Sequence, residues 1–537
     1  MAEPAKKTSA APQKPSNSSD TSSLEFIKTR QAKDIYIGLC GYVGCGMRTV
    51  NELLETVSAD WGYNVVHIRI SSLLETSVYF EKSVLDNATS THKNRHLKLQ
   101  EVANKLRAQY RRSELLAEAA IAAIATEKSK INYDDENYKG TAFIIDQFKR
   151  PEEVELFRVI YQHNFYLLGV LRDLDYRLTN LIADESTKDD LHKIINIDNK
   201  SSEEYGQRTG QAILDSDYFI KNNFSQKSDI KKKIERLFGL IHGLNGLTPT
   251  INEKGMYAAF SASLQSACLS RQVGAALLDD EGNLLAVGRN DVPKAGGGLY
   301  GSDDFDNDHR CVHKSGKCYN DDSKNKIKER IKDILTEEVY KALPANTNNF
   351  QDISFKRLIH SLGDIAESIY SKSKISSVME YSRSIHAEMD VITTMARKSN
   401  GDTKGKVLYT TTYPCHNCAR HIVAAGIKKV VYIEPFDKSL ALDLHNDAIT
   451  KNDESSMVVF SDFEGVSPRR YSKFFRPTDE RKAEDGSGIA RKFNVKYNHH
   501  IDVQFLDDYR KYESAVAQKF ILEVSMPDAP ASETPAG

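Results

Sequence analysis

An excess of charge of one sign, long apolar runs and a secretory leader are all missing from this 537-residue sequence, and each absence removes a class of function. Lys and Arg number 73 against 75 Asp and Glu, so the surface lacks the basic excess of a dedicated nucleic-acid scavenger. No window approaches the ~18 uninterrupted apolar residues of a membrane span. The first thirty residues carry Lys6, Lys7 and Lys14 but no apolar segment. No secretory signal is therefore expected, and the cytoplasm is the expected compartment. The seven cysteines are odd in number and include one C-x-x-C pair, which reads as metal or catalytic usage and not as a disulfide framework. Residues 1–23 have no Val, Ile, Leu or aromatic side chain, and the residues from Met526 on repeat that composition. Such segments bury too little area to offset ordering entropy, which predicts disordered tails over 1–33 and 524–537.

What is present is an α/β chain. Short β-type runs at Ile35–Cys40, Asn64–Ile70, Ala142–Asp146 and Phe165–Leu171 alternate with helical stretches such as Leu97–Thr126 and Glu152–Gln162. That alternation predicts a parallel sheet with crossover helices over 34–245. The segment 243–249, Gly-Leu-Asn-Gly-Leu-Thr-Pro, marks a junction, and a second α/β unit is expected over 250–505. Within it, residues 296–380 read as an insertion, opened by Gly296–Gly298, acidic across Asp303–Asp308 and helical over Asn325–Ala342. Long excursions of this kind carry a lid, an effector site or a metal clip.

The sharpest signal is Ile385-His386-Ala387-Glu388 followed by Pro414-Cys415-His416-Asn417-Cys418. One imidazole and two thiols suit a tetrahedral zinc with one position open to water. A β run, Val407–Tyr413, ends at Pro414, and helices are expected from His386 and from Cys415. Helix N-termini favour thiolate over thiol, as zinc ligation requires. Glu388, two residues beyond His386, can stand beside the metal without binding it and move a proton.

His-x-Glu with Pro-Cys-x-x-Cys resembles the signature of the zinc-dependent cytidine and deoxycytidylate deaminases. The run Arg271-Gln272-Val273-Gly274-Ala275 and the later Gly288-Arg289-Asn290-Asp291-Val292-Pro293 resemble dCMP-type members. The resemblance implies a three-layer αβα fold, Zn2+ on His386, Cys415 and Cys418, and Glu388 as the catalytic proton shuttle. It makes Asn290 a ligand of the deoxyribose and Arg271 a further substrate-binding candidate. Asp390-Val391 departs from the Asn-Ala of many relatives. Some members carry a second zinc, for which Cys268, His309, Cys311, His313 and Cys318 are the candidates here.

In the amino-terminal unit, Ile35–Cys40 runs into Gly41-Tyr42-Val43-Gly44-Cys45-Gly46-Met47-Arg48-Thr49, the strand, glycine loop and helix of a phosphate-binding P-loop. Met47 stands where the phosphate-binding Lys belongs and Arg48 at the Ser/Thr position, so kinase activity is not expected. Asp146 ends a strand as a Walker-B-type acid. Arg172 and Arg177 stand as lid arginines do, and Asp215–Asn222 resembles the final segment of nucleotide kinases. The expected nucleotide-binding set is Gly41, Gly44, Gly46, Arg48, Thr49 and Asp146.

A degenerate P-loop kinase-like unit followed by a dCMP-type deaminase resembles the bacterial anti-phage deoxycytidylate deaminases. That resemblance implies deamination of dCMP and dCTP, depletion of the dC pool against phage, an inhibitory small RNA, a nucleotide effector and a homo-oligomer. Two other readings share the motif: a single-stranded DNA or RNA cytidine deaminase, and a nucleotide-sensing regulator with little catalysis. From Glu464 to Asn498, nine basic residues stand among Tyr471, Phe474, Phe475, Phe493 and Tyr497. The stretch fits a base-stacking surface, but packing of Phe474 and Phe475 on the core is the favoured reading.

Overall fold

The computed structural model describes residues 32–75, 80, 94–133, 135, 137–183, 188–201, 203–223, 226–342, 353–373, 375, 378, 380–399, 401–436, 439–452, 456–476 and 506–525. The first unit has strands β1 Ile35–Gly41, β2 Asn64–Arg69, β3 Thr141–Phe148, β4 Phe165–Leu171 and β5 Tyr218–Lys221. All seven residues of β1 and of β4 are buried, as strands covered on both faces must be. They pair in parallel in the order β5-β4-β1-β3-β2, in agreement with the run-and-helix alternation of the sequence.

The stretch expected as one helix over Leu97–Thr126 is two. Arg95–Tyr110 ends where Arg111 turns left-handed (φ 52°) and its N–H closes on the Ala108 carbonyl. Leu115–Lys128 follows, its residues Leu115 to Ile124 buried without a break. A helix apolar on every side needs cover on every side.

The second unit has β6 Gly274–Leu278, β7 Leu284–Arg289, β8 Val407–Thr412, β9 Lys429–Glu434, β10 Ile449–Thr450 and β11 Val458–Asp462. Their order is β10-β11-β9-β8-β6-β7, with β6 and β7 forming an antiparallel hairpin. Helices Ile251–Ser263, Ala387–Ala396 and His416–Ala424 accompany this sheet. The insertion is helical beyond the expected Asn325–Ala342: Tyr319–Ala342 is followed by a second helix, Ile353–Lys372.

After β11 the chain does not stay with the second sheet, as a unit ending at 505 would require. Gly465–Val466, β12, pairs antiparallel with β5 at the edge of the first sheet. Glu253 ties this joint: its carboxylate accepts the Val466 N–H at 2.8 Å and the Arg236 guanidinium at 2.7 and 2.8 Å. Arg470, buried, donates to Asp217 at 2.7 Å, and Phe474 enters the first unit's core beside Tyr166. Tyr471 stacks on Tyr257 with ring centroids 4.1 Å apart. These contacts agree with packing as the role of the segment's first part; Phe493 and Tyr497 lie outside the described residues. Finally Leu506–Phe520 covers the Leu115–Lys128 helix, with Lys128 Nζ 2.7 Å from the Glu513 carboxylate. Residues 521–525 continue this element, so 524 and 525 do not belong to the expected tail. Among the described residues no helix is long and apolar enough to cross a membrane.

Candidate metal centre and active site

Two strand-to-helix turns bring the sequence-distant ligands together. Ile385 bridges to Asp291 just after β7, its N–H on the Asp291 carbonyl at 3.0 Å, and His386 then caps the Ala387–Ala396 helix. Gly288 lets that helix approach β7, since a Cβ there would stand 2.6 Å from the Ala387 carbonyl oxygen. β8 delivers Cys415 to the N-cap of His416–Ala424, with Cys418 in the first turn. His386 Nδ1 lies 3.3 Å from both Cys415 Sγ and Cys418 Sγ. The three donor atoms all fall within 4.8 Å of one another, the one such His, Cys and carboxylate group among the described residues.

The donors fit zinc. Bond lengths of ~2.3 Å to sulfur and ~2.0 Å to nitrogen place tetrahedral donors roughly 3.5 Å apart, close to the spacing seen. Zn2+ is the cofactor this His/Cys/Cys set supports. The hydrogen bond from Cys418 and the neighbouring imidazole hold Cys415 in the thiolate range, while Cys418 is held high by its bond to Cys415 and by burial. His386 is pushed up to about 9, first by the Cys415 hydrogen bond.

Glu388 is 4% exposed, and its Oε2 stands 3.6 Å from Cys418 Sγ. Burial raises its carboxyl above the ordinary range, opposed by His386. Both face a pocket of about 290 Å3 that also includes Arg271, Asn290, Tyr413 and Phe436. The Asn290 side chain clamps the pocket's entry loop: Oδ1 accepts the Val273 N–H at 2.7 Å and Nδ2 donates to the Arg271 carbonyl at 2.7 Å. One N–H and one lone pair are left over for a ligand. Arg271 pairs with Glu434 at 3.2 Å, and Glu434 accepts the Thr412 hydroxyl at 3.0 Å. Sequence reasoning missed Glu434, which no motif marks. Asp390, the departure from the expected Asn, holds the hairpin through the Arg289 N–H at 3.1 Å.

The second zinc set does not assemble. Cys268, Cys311 and Cys318 line the same pocket, but they do not form a ligand group. The Arg383 guanidinium stands 3.9 Å from Cys311 Sγ and opposes a further cation, while the Ser384 hydroxyl donates to Cys268 Sγ at 3.6 Å. His313 turns to Asp308 at 3.4 Å, and His309 packs edge-on against Tyr300.

In the first unit, Gly44, Gly46, Arg48, Thr49 and Asp146 line one cavity; Gly41 stands behind them, its carbonyl accepting Lys149 Nζ at 3.0 Å. Gly44 and Gly46 have φ of 81° and 77°, conformations that favour glycine. The Arg48 side chain is 89% exposed and pairs with Glu52. Asp146 accepts Asn51 Nδ2 at 2.8 Å.

Comparison with known proteins places the metal centre in context. Residues 249–434 match the cytidine and deoxycytidylate deaminase zinc-binding region. Deoxycytidylate deaminase of Enterobacteria phage T4 is 39% identical over 82 residues, 15% of this chain and 42% of that protein. Human deoxycytidylate deaminase is 40% identical over 48 residues, 9% of this chain and 25% of that protein. The chain thus spans less than half the length of these curated relatives. A crystal structure of dCMP deaminase from the cyanophage S-TIM5 in complex with dCMP and dUMP is 18% identical, covering 40% of this chain and 97% of that one, with a TM-score of 0.22. Residues 249–434, which hold His386, Cys415 and Cys418, thus resemble the zinc-binding region of these deaminases.

Proposed function

We propose that the protein hydrolytically deaminates the cytosine of deoxycytidine nucleotides. The observation that carries this reading is Glu388, a buried carboxylate that faces the pocket beside the three metal donors and is not itself one of them. His386, Cys415 and Cys418 would hold the zinc, which when bound would supply a water acidified toward pKa ~7. Glu388 accepts the proton released as a C–O bond forms at cytosine C4 and delivers it to N3. It then takes the proton of the new C4 hydroxyl and passes it to the exocyclic nitrogen as the C4–N bond breaks and ammonia leaves. One water is consumed, and the product is the deoxyuridine nucleotide.

Asn290 orients the sugar through its remaining polar capacity while it holds the Arg271–Val273 loop, and Arg271 lies at the pocket for the phosphate. The resemblance of the whole chain extends the reading to dCTP beside dCMP, to depletion of the dC pool against phage, and to restraint by a small RNA. Met47 and the outward Arg48 support a first unit without phosphoryl transfer. Ammonia release from dCMP, dCTP, cytidine and oligo-dC, with products identified by mass, tests the proposal. Conversion of free deoxynucleotides supports it, and conversion of the oligonucleotide alone overturns it in favour of a nucleic-acid deaminase.

A further inference from the structure

The insertion presents a surface that the deamination above does not use. Its helices Tyr319–Ala342 and Ile353–Lys372 pack chiefly on each other as an antiparallel hairpin. Lys328 of the first pairs with Glu367 of the second, and Leu362 and Ala366 are buried. A lone pair of helices has a single seam, whereas the apolar stripe of a packed helix is ~100° wide or more, so part of each stripe falls outside the seam. Ile334, Ile365 and Ile369 are that part, at 44%, 43% and 40% exposed.

The three share one side of the hairpin. At 3.6 residues per turn, Ile334 stands about 120° around its helix from Lys328, and Ile365 and Ile369 stand about 160° around theirs from Glu367. Lys328 and Glu367 meet on one side, which leaves the isoleucines together on the other. That side is two helices wide and roughly 30 Å long, about 600 Å2. Covered by an equal face it gives roughly 1,200 Å2 of buried surface in total, above the ~1,000 Å2 of a specific interface.

Charge selects the occupant. Arg330 lies four residues before Ile334 and Glu337 three after it, so both flank the isoleucine on its own face. They reach each other at 3.4 Å while more than half exposed, and Glu338, also exposed, follows. The helix is thus basic on one side of Ile334 and acidic on the other, which makes it its own complement when turned about a two-fold axis there. Such an axis sets Arg330 of each copy against Glu337 and Glu338 of the other.

We propose that this face of the insertion joins two copies of the chain, their hairpins packed as a four-helix bundle. The isoleucines form its dry centre, and the crossed pairs of Arg330 with the two glutamates fix its register. The contact goes beyond the deaminase reading and does not depend on it.

The test is analytical ultracentrifugation of the full-length, zinc-loaded protein across the micromolar range. We expect an even number of chains per particle. Ile334→Glu and Ile365→Glu, both at exposed positions, each halve the particle mass or raise the dissociation constant at least tenfold, with the melting temperature unchanged. A variant whose melting temperature falls is replaced by Ile369→Lys, with the same expectation. Arg330→Glu weakens association by setting like charges together, as does Glu337→Arg combined with Glu338→Arg, and mixing the two proteins restores it. A monomer across the range overturns the proposal. Isoleucine variants of unchanged mass overturn it by placing the association on another surface, and charge variants that do not recover on mixing overturn the two-fold pairing and leave the face to a different partner.

Discussion

The ion pair between Lys128 and Glu513 allows the joint between the two ends of the chain to be measured. Its atoms are 2.7 Å apart, and the side chains are 9% and 8% exposed. Lys128 also lies 4.5 Å from the centre of the Tyr509 ring. Burial lowers the lysine's pKa and Glu513 opposes that shift. Glu513→Gln removes the charge but keeps the shape, leaving a buried ammonium without its counter-ion. Breaking one side of a buried pair costs about 3–5 kcal/mol, which at about 2–4 °C per kcal/mol for a unit of this size lowers the melting temperature by roughly 6–20 °C. The double variant Lys128→Met with Glu513→Leu should recover most of the loss, because apolar replacements of such pairs are close to neutral.

The pH dependence has a definite sign. In the Glu513→Gln protein the folded-state lysine pKa falls further below its unfolded value. Between those two values the unfolded chain binds more protons, so stability rises with pH. The deficit relative to wild type should therefore shrink between pH 7 and pH 9.5. Thermal melts of the wild type, Glu513→Gln and the double variant at both pH values check this. A single-variant loss below about 1 kcal/mol would place the pair among exposed ones and refute the packing of the carboxy-terminal helix on the first unit.

Three further outcomes are expected. Glu388→Gln should lower turnover of dCMP by about 10^2–10^4-fold, the worth of a positioned proton shuttle, with zinc content by metal analysis unchanged. Chelation should abolish activity, and metal analysis of the purified protein should give one zinc per chain, falling toward zero in Cys415→Ser; two per chain would revive the set around Cys311. Asn290→Ala removes both anchors of the Arg271–Val273 loop and should raise KM for dCMP by about tenfold or more, one lost hydrogen bond being worth ~1 kcal/mol or above; an unchanged KM would remove the residue from substrate binding.

The metal centre was legible because its chemistry is local. His386 and Cys415 sit at helix N-caps, with Glu388 and Cys418 each in the first turn of the helix that follows, so short motifs carry the geometry. The inner strands were legible because burial on both faces writes an unbroken apolar run. β12 was not, since two residues at a sheet edge have no periodicity and their partner, β5, is more than two hundred residues away. The break at Arg111 depends on one left-handed residue that no glycine announces. The second-zinc candidates Cys268, Cys311 and Cys318 converge on one pocket without forming a ligand group, and Arg383 and Asp308 are what Cys311 and His313 meet there.

The return of the last segment to the first sheet has a consequence for how the molecule is made. The second unit is nested inside the first, which begins before it and is completed after it. A ribosome delivers β1 to β5 long before Leu506–Phe520 emerges, so the outer face of the Leu115–Lys128 helix waits without its cover. The nested sheet, whose strands all lie between Gly274 and Asp462, is free to fold earlier. A chain stopped before Leu506 should therefore leave the first unit unfinished and prone to aggregate beside a second sheet whose strands are all present.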